Sequence, residues 1–221
     1  MKKILIAALL GIVGAFGLFI FAFRIMGDRA SEARETVTDV RKPQNGDIIF
    51  QTSTSSQSKA IQLATHSKYS HMGIIYEMNE EYYVFEAVQP VKLTKLSEWI
   101  SRGQDSHYVI KRLKDSKQLL TSENIKKMKD LGTKFKGKEY DIYFEWSDEK
   151  IYCSELVWKI YKEALNVEIG NLQALREFDL TNKVVKDKMR ERYGVKIPLA
   201  EKVISPEAMF NSDKLITVST Q

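Results

Sequence analysis

One cysteine, three histidines and four prolines are all that the 221 residues hold of these types. A lone Cys153 excludes an intramolecular disulfide framework and any zinc site built on paired thiolates. It equally leaves no resolving thiol in the chain for a redox role. His66, His71 and His107 add little for a metal to hold. Concentrated positive charge is lacking as well. The formal net charge is +5, but Lys2, Lys3, Arg24 and Arg29 against Asp28 carry +3 of it, so the remainder is only +2. Acidic and basic residues alternate there, which excludes the basic stripe of a nucleic-acid-binding surface. No internal repeat is present. What the chain does have, with 43% hydrophobic, 10% aromatic and 29% charged residues, is the material of one ordinary globular domain or two small ones.

The one long uncharged run stands at the N-terminus, where residues 4–23 carry no charged or strongly polar side chain between Lys3 and Arg24. That length can cross a bilayer as a helix, and it exceeds the roughly 7–15 apolar residues of a cleaved signal. The expectation is a signal anchor over residues 1–26, with a cleaved signal peptide as the alternative. A polar linker over 27–42 and a folded domain over 43–221 follow, the domain lying outside the cytoplasm, membrane-anchored or, after cleavage, periplasmic or secreted. Basic residues flank both ends of the run, so its orientation is left open.

In the domain, Gly46-Asp47 opens a strand at Ile48 to Phe50. Ser55 or Ser56 is placed to cap a helix through Ala60, Ile61, Leu63 and Ala64 that ends at His66, whose plain role is to complement the helix dipole. Strands are expected at Met72 to Glu77, Tyr82 to Val88 and Tyr108 to Leu113, with a short helix at Trp99-Ile100. Ser122 caps a helix with Ile125, Met128, Leu131 and Phe135 on one side. Helices are further expected from Cys153, at Leu172 to Phe178, at Asn182 to Tyr193 and after Ser205-Pro206-Glu207, before a last strand at Leu215 to Ser219. Antiparallel strands mixed with separate helices make the class α+β.

The chemistry begins in YCSELVWKIYKEAL, where apolar residues at 153, 156, 157, 160, 161, 164 and 165 mark a helix with one buried face, headed by Cys153. A thiol on the first turn meets unpaired backbone N–H groups and the positive end of the dipole, which lower its pKa from about 8.5 and make it a nucleophile. The same donors suit an oxyanion. A hairpin centred between Met78 and Asn79 sets His71 opposite Glu86, close enough for the carboxylate to orient the imidazole. Nucleophile, general base and orienter are the parts of a cysteine hydrolase. The plain alternatives are a packing cysteine and an exposed glutamate at a strand end. Ser56, Ser70, Asp141 and Ser154 could line the cleft, with nothing in their spacing to rank them, and His107 reads as surface or packing.

The segments GDIIFQTSTSSQSKAIQLATHSKYSHMGII, YVFEAVQPVK and WSDEKIYCSELVWKIY resemble those of the YiiX/YebB-type cysteine hydrolases, permuted relatives of papain and of the NlpC-type cell-wall peptidases. The similarity extends from about Asn45 to VISPEAMF. It implies a circularly permuted papain-like fold, an antiparallel sheet packed against helices, with histidine ahead of cysteine in the chain, as here. By that resemblance Cys153 is the nucleophile, His71 the base and then acid, Glu86 the third member and Tyr152 a substrate-lining residue, while Asp47 is structural. The implied reaction is amide hydrolysis through an acyl-enzyme, with no cofactor and no metal.

Family analogy makes cell-wall peptides in the envelope the first substrate expectation. A lipid amidase, esterase or acyltransferase on the same fold is the alternative. Two readings of other classes stand beside these: a non-catalytic envelope binding module, against which the intact trio counts, and a mononuclear metal site on Cys153, His71 and Glu86, an unusual mixture of ligands for zinc.

Overall fold

The computed structural model describes residues 42–221. The long apolar run and most of the expected linker therefore lie outside the described residues. Among the described residues no helix is long and apolar enough to cross a membrane.

Strands β1 (Ile48–Ser53), β2 (His71–Met78), β3 (Glu81–Glu86), β4 (Lys92–Lys95), β5 (Gly103–Leu113) and β8 (Leu215–Thr220) form one antiparallel sheet in the order β4-β3-β2-β1-β5-β8. Side chains alternate across a strand, and here both faces are apolar. Ile48, Phe50, Met72, Ile74 and Tyr76 enter the larger core, while Ile49, Ile75, Val84, Ile110 and Trp99 form a smaller one. Trp99 belongs to α2 (Leu96–Ser101), which covers the smaller face. The larger face is covered by α4 (Ser122–Thr133) and α5 (Cys153–Leu165), whose Leu156, Val157, Ile160 and Tyr161 are fully buried. The remaining elements are α1 (Ser58–Thr65), α3 (Ser116–Leu119), α6 (Lys183–Tyr193), α7 (Pro206–Phe210) and the strand pair β6 (Gln173–Ala174) and β7 (Lys202–Val203). The class is α+β, as expected.

The hairpin turns one residue later than expected. Asn79 and Glu80 take left-handed φ values of 51° and 63°, the backbone of a two-residue hairpin turn, so Ile74 pairs with Phe85 and Met78 with Glu81. The strands thus slide by two positions relative to the expected register. Because the side-chain period is two, every residue keeps its face. Glu86 now stands opposite Gly73 and diagonal to His71. A Cβ on Gly73 would lie 2.4 Å from Val84 Cγ1 and 2.8 Å from the Phe85 carbonyl oxygen, so glycine keeps this corner open.

Other local expectations change for identifiable reasons. Gln57, not Ser55 or Ser56, stands at the N-terminal cap of α1, and Thr121 caps α4 one residue ahead of Ser122, accepting from the Asn124 N–H at 3.3 Å. His66 ends α1 with a left-handed backbone, its Nε2 3.2 Å from Asp179 Oδ2. The helix expected at 172–178 is replaced by β6 and a single 3-10 turn at Leu175–Glu177. There the N–H groups of Leu175 and Arg176 donate to the carbonyls of Glu201 and Leu199, and these long-range bonds displace the helical ladder.

Candidate active site

Cys153 is the first residue of α5. Tyr152 ahead of it is extended, and the Glu155 carboxylate reaches back to the Tyr152 N–H at 3.4 Å, so the local sequence starts the helix at the thiol. Glu155 is itself buried, which pushes its carboxyl up to about 8 against the pull of Lys159, 2.8 Å away. The cysteine is free and buried.

His71 opens β2, its ring stacked on Trp99 at 5.8 Å between centroids. Its Nε2 lies 2.6 Å from Glu86 Oε2. The other oxygen of Glu86 accepts from Thr94 Oγ1 at 2.6 Å and from the Arg102 guanidinium. With Nε2–H donated to the carboxylate, Nδ1 is the ring nitrogen left for a second partner, and the Cys153 thiol is among the groups that act on His71. Burial pulls the His71 pKa down, but the thiol and the Glu86 carboxylate outweigh it and raise it to about 9. Burial likewise works to raise the Glu86 carboxyl, yet His71, Thr94 and Arg102 hold it below its ordinary value. Both shifts favour an imidazolium beside a carboxylate.

The structure thus brings Cys153, His71 and Glu86 together. Tyr152 forms part of a wall beside them, but it is fully buried and its hydroxyl accepts from the Ile204 N–H at 3.2 Å. Ser154 donates to the Ile204 carbonyl, and Asp141 accepts from the N–H groups of Tyr143 and Glu145, shaping the loop ahead of α5. His107 sits beside Lys68 on the surface. Sequence reasoning missed Thr94 and Arg102 behind Glu86, and also Gln57, Tyr140 and Arg192. Tyr140 interacts with Cys153 and accepts from Gln57 Nε2 at 2.9 Å, and Gln57 Oε1 accepts from Arg192 at 2.5 Å. The N-terminal edge of α1, the loop before α5 and the end of α6 supply these three, and no local spacing links them.

Two clefts meet at this point. An apolar groove runs from Cys153 between α1 and α6, lined by Ala60, Ile61, Ala64, Val185, Met189, Phe178 and Leu180, with Lys188 and Arg192 beside them. A hydroxyl- and amide-rich cleft holds His71 with Ser53, Thr54, Ser55, Ser70, Gln89 and Arg102. Gln57 and Tyr140 line both.

The profile of the family described as permuted papain-like amidase enzyme, YaeF/YiiX, C92 family, matches residues 42–219. The chain is 49% identical over 180 residues to the uncharacterized protein YiiX of Escherichia coli strain K12, covering 81% of this chain and 88% of that one. It also superimposes on the crystal structure of metalloprotein yiiX from Escherichia coli O157:H7 with a TM-score of 0.78 and 51% identity, over 81% of this chain and 98% of that one. A metal on the trio finds no shared point here. Glu86 holds Nε2 of His71, and both Glu86 oxygens are already engaged. Among the described residues no three His, Cys, Asp or Glu side chains gather as a metal site. The order of histidine before cysteine, the thiol-headed helix laid on an antiparallel sheet and the match over nearly all the described residues agree: the chain belongs to the permuted papain-like amidases of the YaeF/YiiX, C92 family.

Proposed function

We propose that this protein is a cysteine amidase in which Cys153 attacks the carbonyl carbon of an amide, His71 supplies and retrieves the proton and Glu86 fixes the ring. The observation that carries this reading is the His71 ring, held by Glu86 through Nε2 at 2.6 Å and interacting with the thiol that heads α5. In acylation the sulfur bonds to the carbonyl carbon, and the C–N bond breaks as the amine leaves with a proton from His71. In deacylation a water gives that proton back to His71 while its oxygen bonds to the carbonyl and the sulfur departs. The acid and the free enzyme remain.

The groove favours an apolar acyl portion over a cell-wall peptide, since beyond the sulfur it offers a substrate carbon with few polar partners. The amine fits the polar cleft. An N-acyl amide of this shape belongs at a membrane, and the apolar run at residues 4–23 supports placing the domain there. The test follows the acyl-enzyme by intact mass. N-octanoyl p-nitroanilide is expected to acylate Cys153 at least about tenfold faster than the N-acetyl compound. Ala64→Trp, which fills the groove, should remove that preference and leave the acetyl rate in place. Equal rates for the two chains in the wild type, with cell-wall peptides cleaved instead, would assign the groove another role.

A pH dependence follows from the raised His71 pKa. The folded ring titrates at about 9 against an ordinary 6.5, so the native state holds the proton more tightly than the unfolded chain. The stabilisation is complete below pH 6.5 and is lost as pH rises towards 9. Thermal unfolding of the wild type is expected to move to lower temperature across that window, and His71→Gln should flatten the decline.

A further inference from the structure

A hydrogen bond has a direction, and around Tyr140 one fixed charge sets them all. Arg192 carries only donors, so Gln57 must present its carbonyl Oε1 to the guanidinium, 2.5 Å away. That choice leaves the amide nitrogen facing Tyr140, to whose hydroxyl oxygen it donates at 2.9 Å. A phenol that accepts from Gln57 keeps its single proton for another partner, and Cys153, with which Tyr140 interacts, lines the same groove. The guanidinium is itself held, its Cζ 4.9 Å from the centroid of the Phe144 ring, which packs edge-on against Tyr152 at 5.1 Å. All these residues line the groove that reaches the sulfur.

We propose that Arg192 and Gln57 are positioning residues that commit the phenolic proton of Tyr140 to the Cys153 sulfur and so stabilise the reactive thiolate, an assignment that rests on the cysteine amidase reading. Burial, then the nearby thiol, keeps the Tyr140 phenol protonated well above its ordinary range, so the proton is there to be donated. The arrangement supplies the sulfur with a donor distinct from His71.

The experiment is the rate of Cys153 alkylation by iodoacetamide at pH 7, which needs no knowledge of the substrate. Tyr140→Phe is expected to slow it about tenfold. Gln57→Glu keeps a partner for Arg192 but can only accept, so the phenol turns its proton to the new carboxylate and the thiol slows by a similar factor. In the Tyr140→Phe background the same change should have almost no further effect, because the hydroxyl it acts through is gone. Gln57→Met, neutral and of similar length, should slow alkylation in the same direction by less, again only while the hydroxyl is present. A slowing by Gln57→Glu that persists in full without the hydroxyl would show a through-space charge effect and overturn the proposal. So would a Gln57→Glu variant that alkylates at the wild-type rate. Failure of the amidase reading itself looks different: the wild-type thiol would alkylate no faster than free cysteine, and His71→Ala would change nothing.

Discussion

Cys153→Ala is expected to abolish acylation by N-octanoyl p-nitroanilide, and His71→Ala to lower turnover by about ten-thousand-fold or more. The two losses should not add. A nucleophile and its base act as one unit, so the double variant is expected to be no worse than either single one. Glu86→Gln is the more revealing change. Glu86 is fully buried with both oxygens occupied, and the ionised carboxylate can only accept. A glutamine that turns its NH2 towards His71 demands a bare Nε2 and so moves the ring proton to Nδ1, where the sulfur needs an acceptor. Loss of turnover by up to about ten-thousand-fold with little change in KM is expected. Steady-state kinetics decide it, and an unchanged kcat in Glu86→Gln would remove Glu86 from the mechanism.

The three residues of this unit were legible because each sits in a strongly patterned segment. Cys153 heads an apolar stripe of helical period, and α5 begins at that residue. Glu86 breaks the apolar face of its strand, and parity alone puts it on the side of His71. That inference survived a misplaced turn, because sliding a hairpin by two residues changes partners without changing faces. The segment 172–178 misled for the opposite reason. Its pattern allows a helix, and only the backbone bonds to 199–203, far along the chain, decide otherwise. Gln57, Tyr140 and Arg192 were beyond reach on the same ground: each is unremarkable locally, and their relation exists only after α1, α6 and the loop before α5 have packed together. Arg102 was equally hidden, since it meets Glu86 only through the pairing of β3 with β4 and the turn of α2.

Asp47→Ala is expected to cost about 3–5 kcal/mol of stability, a larger loss than removal of the Cys153 thiol should cause. Asp47 precedes β1 and is fully buried, and its oxygens accept from Arg112 Nε at 2.7 Å, from the second guanidinium nitrogen at 2.8 Å and from the Gln44 N–H at 2.8 Å. Burial nevertheless pushes the Asp47 carboxyl above its ordinary range against the pull of Arg112, which marks how much the site costs in lost hydration. The pair as a whole therefore adds little, while half of it is worse than none. Alanine at 47 deprives a buried guanidinium of its carboxylate, and the melting temperature should fall by roughly 10 °C. Replacing both partners, as Asp47→Leu with Arg112→Met, should restore most of the loss, because neither charge is then left in the core. Urea unfolding measures both. A double variant as unstable as Asp47→Ala would mean that the ion pair contributes net stability. The site should be indifferent to either result below the melting temperature: β1 holds β2 in register through the pairing of Gln51 with His71, and alkylation of Cys153 reports whether that register persists.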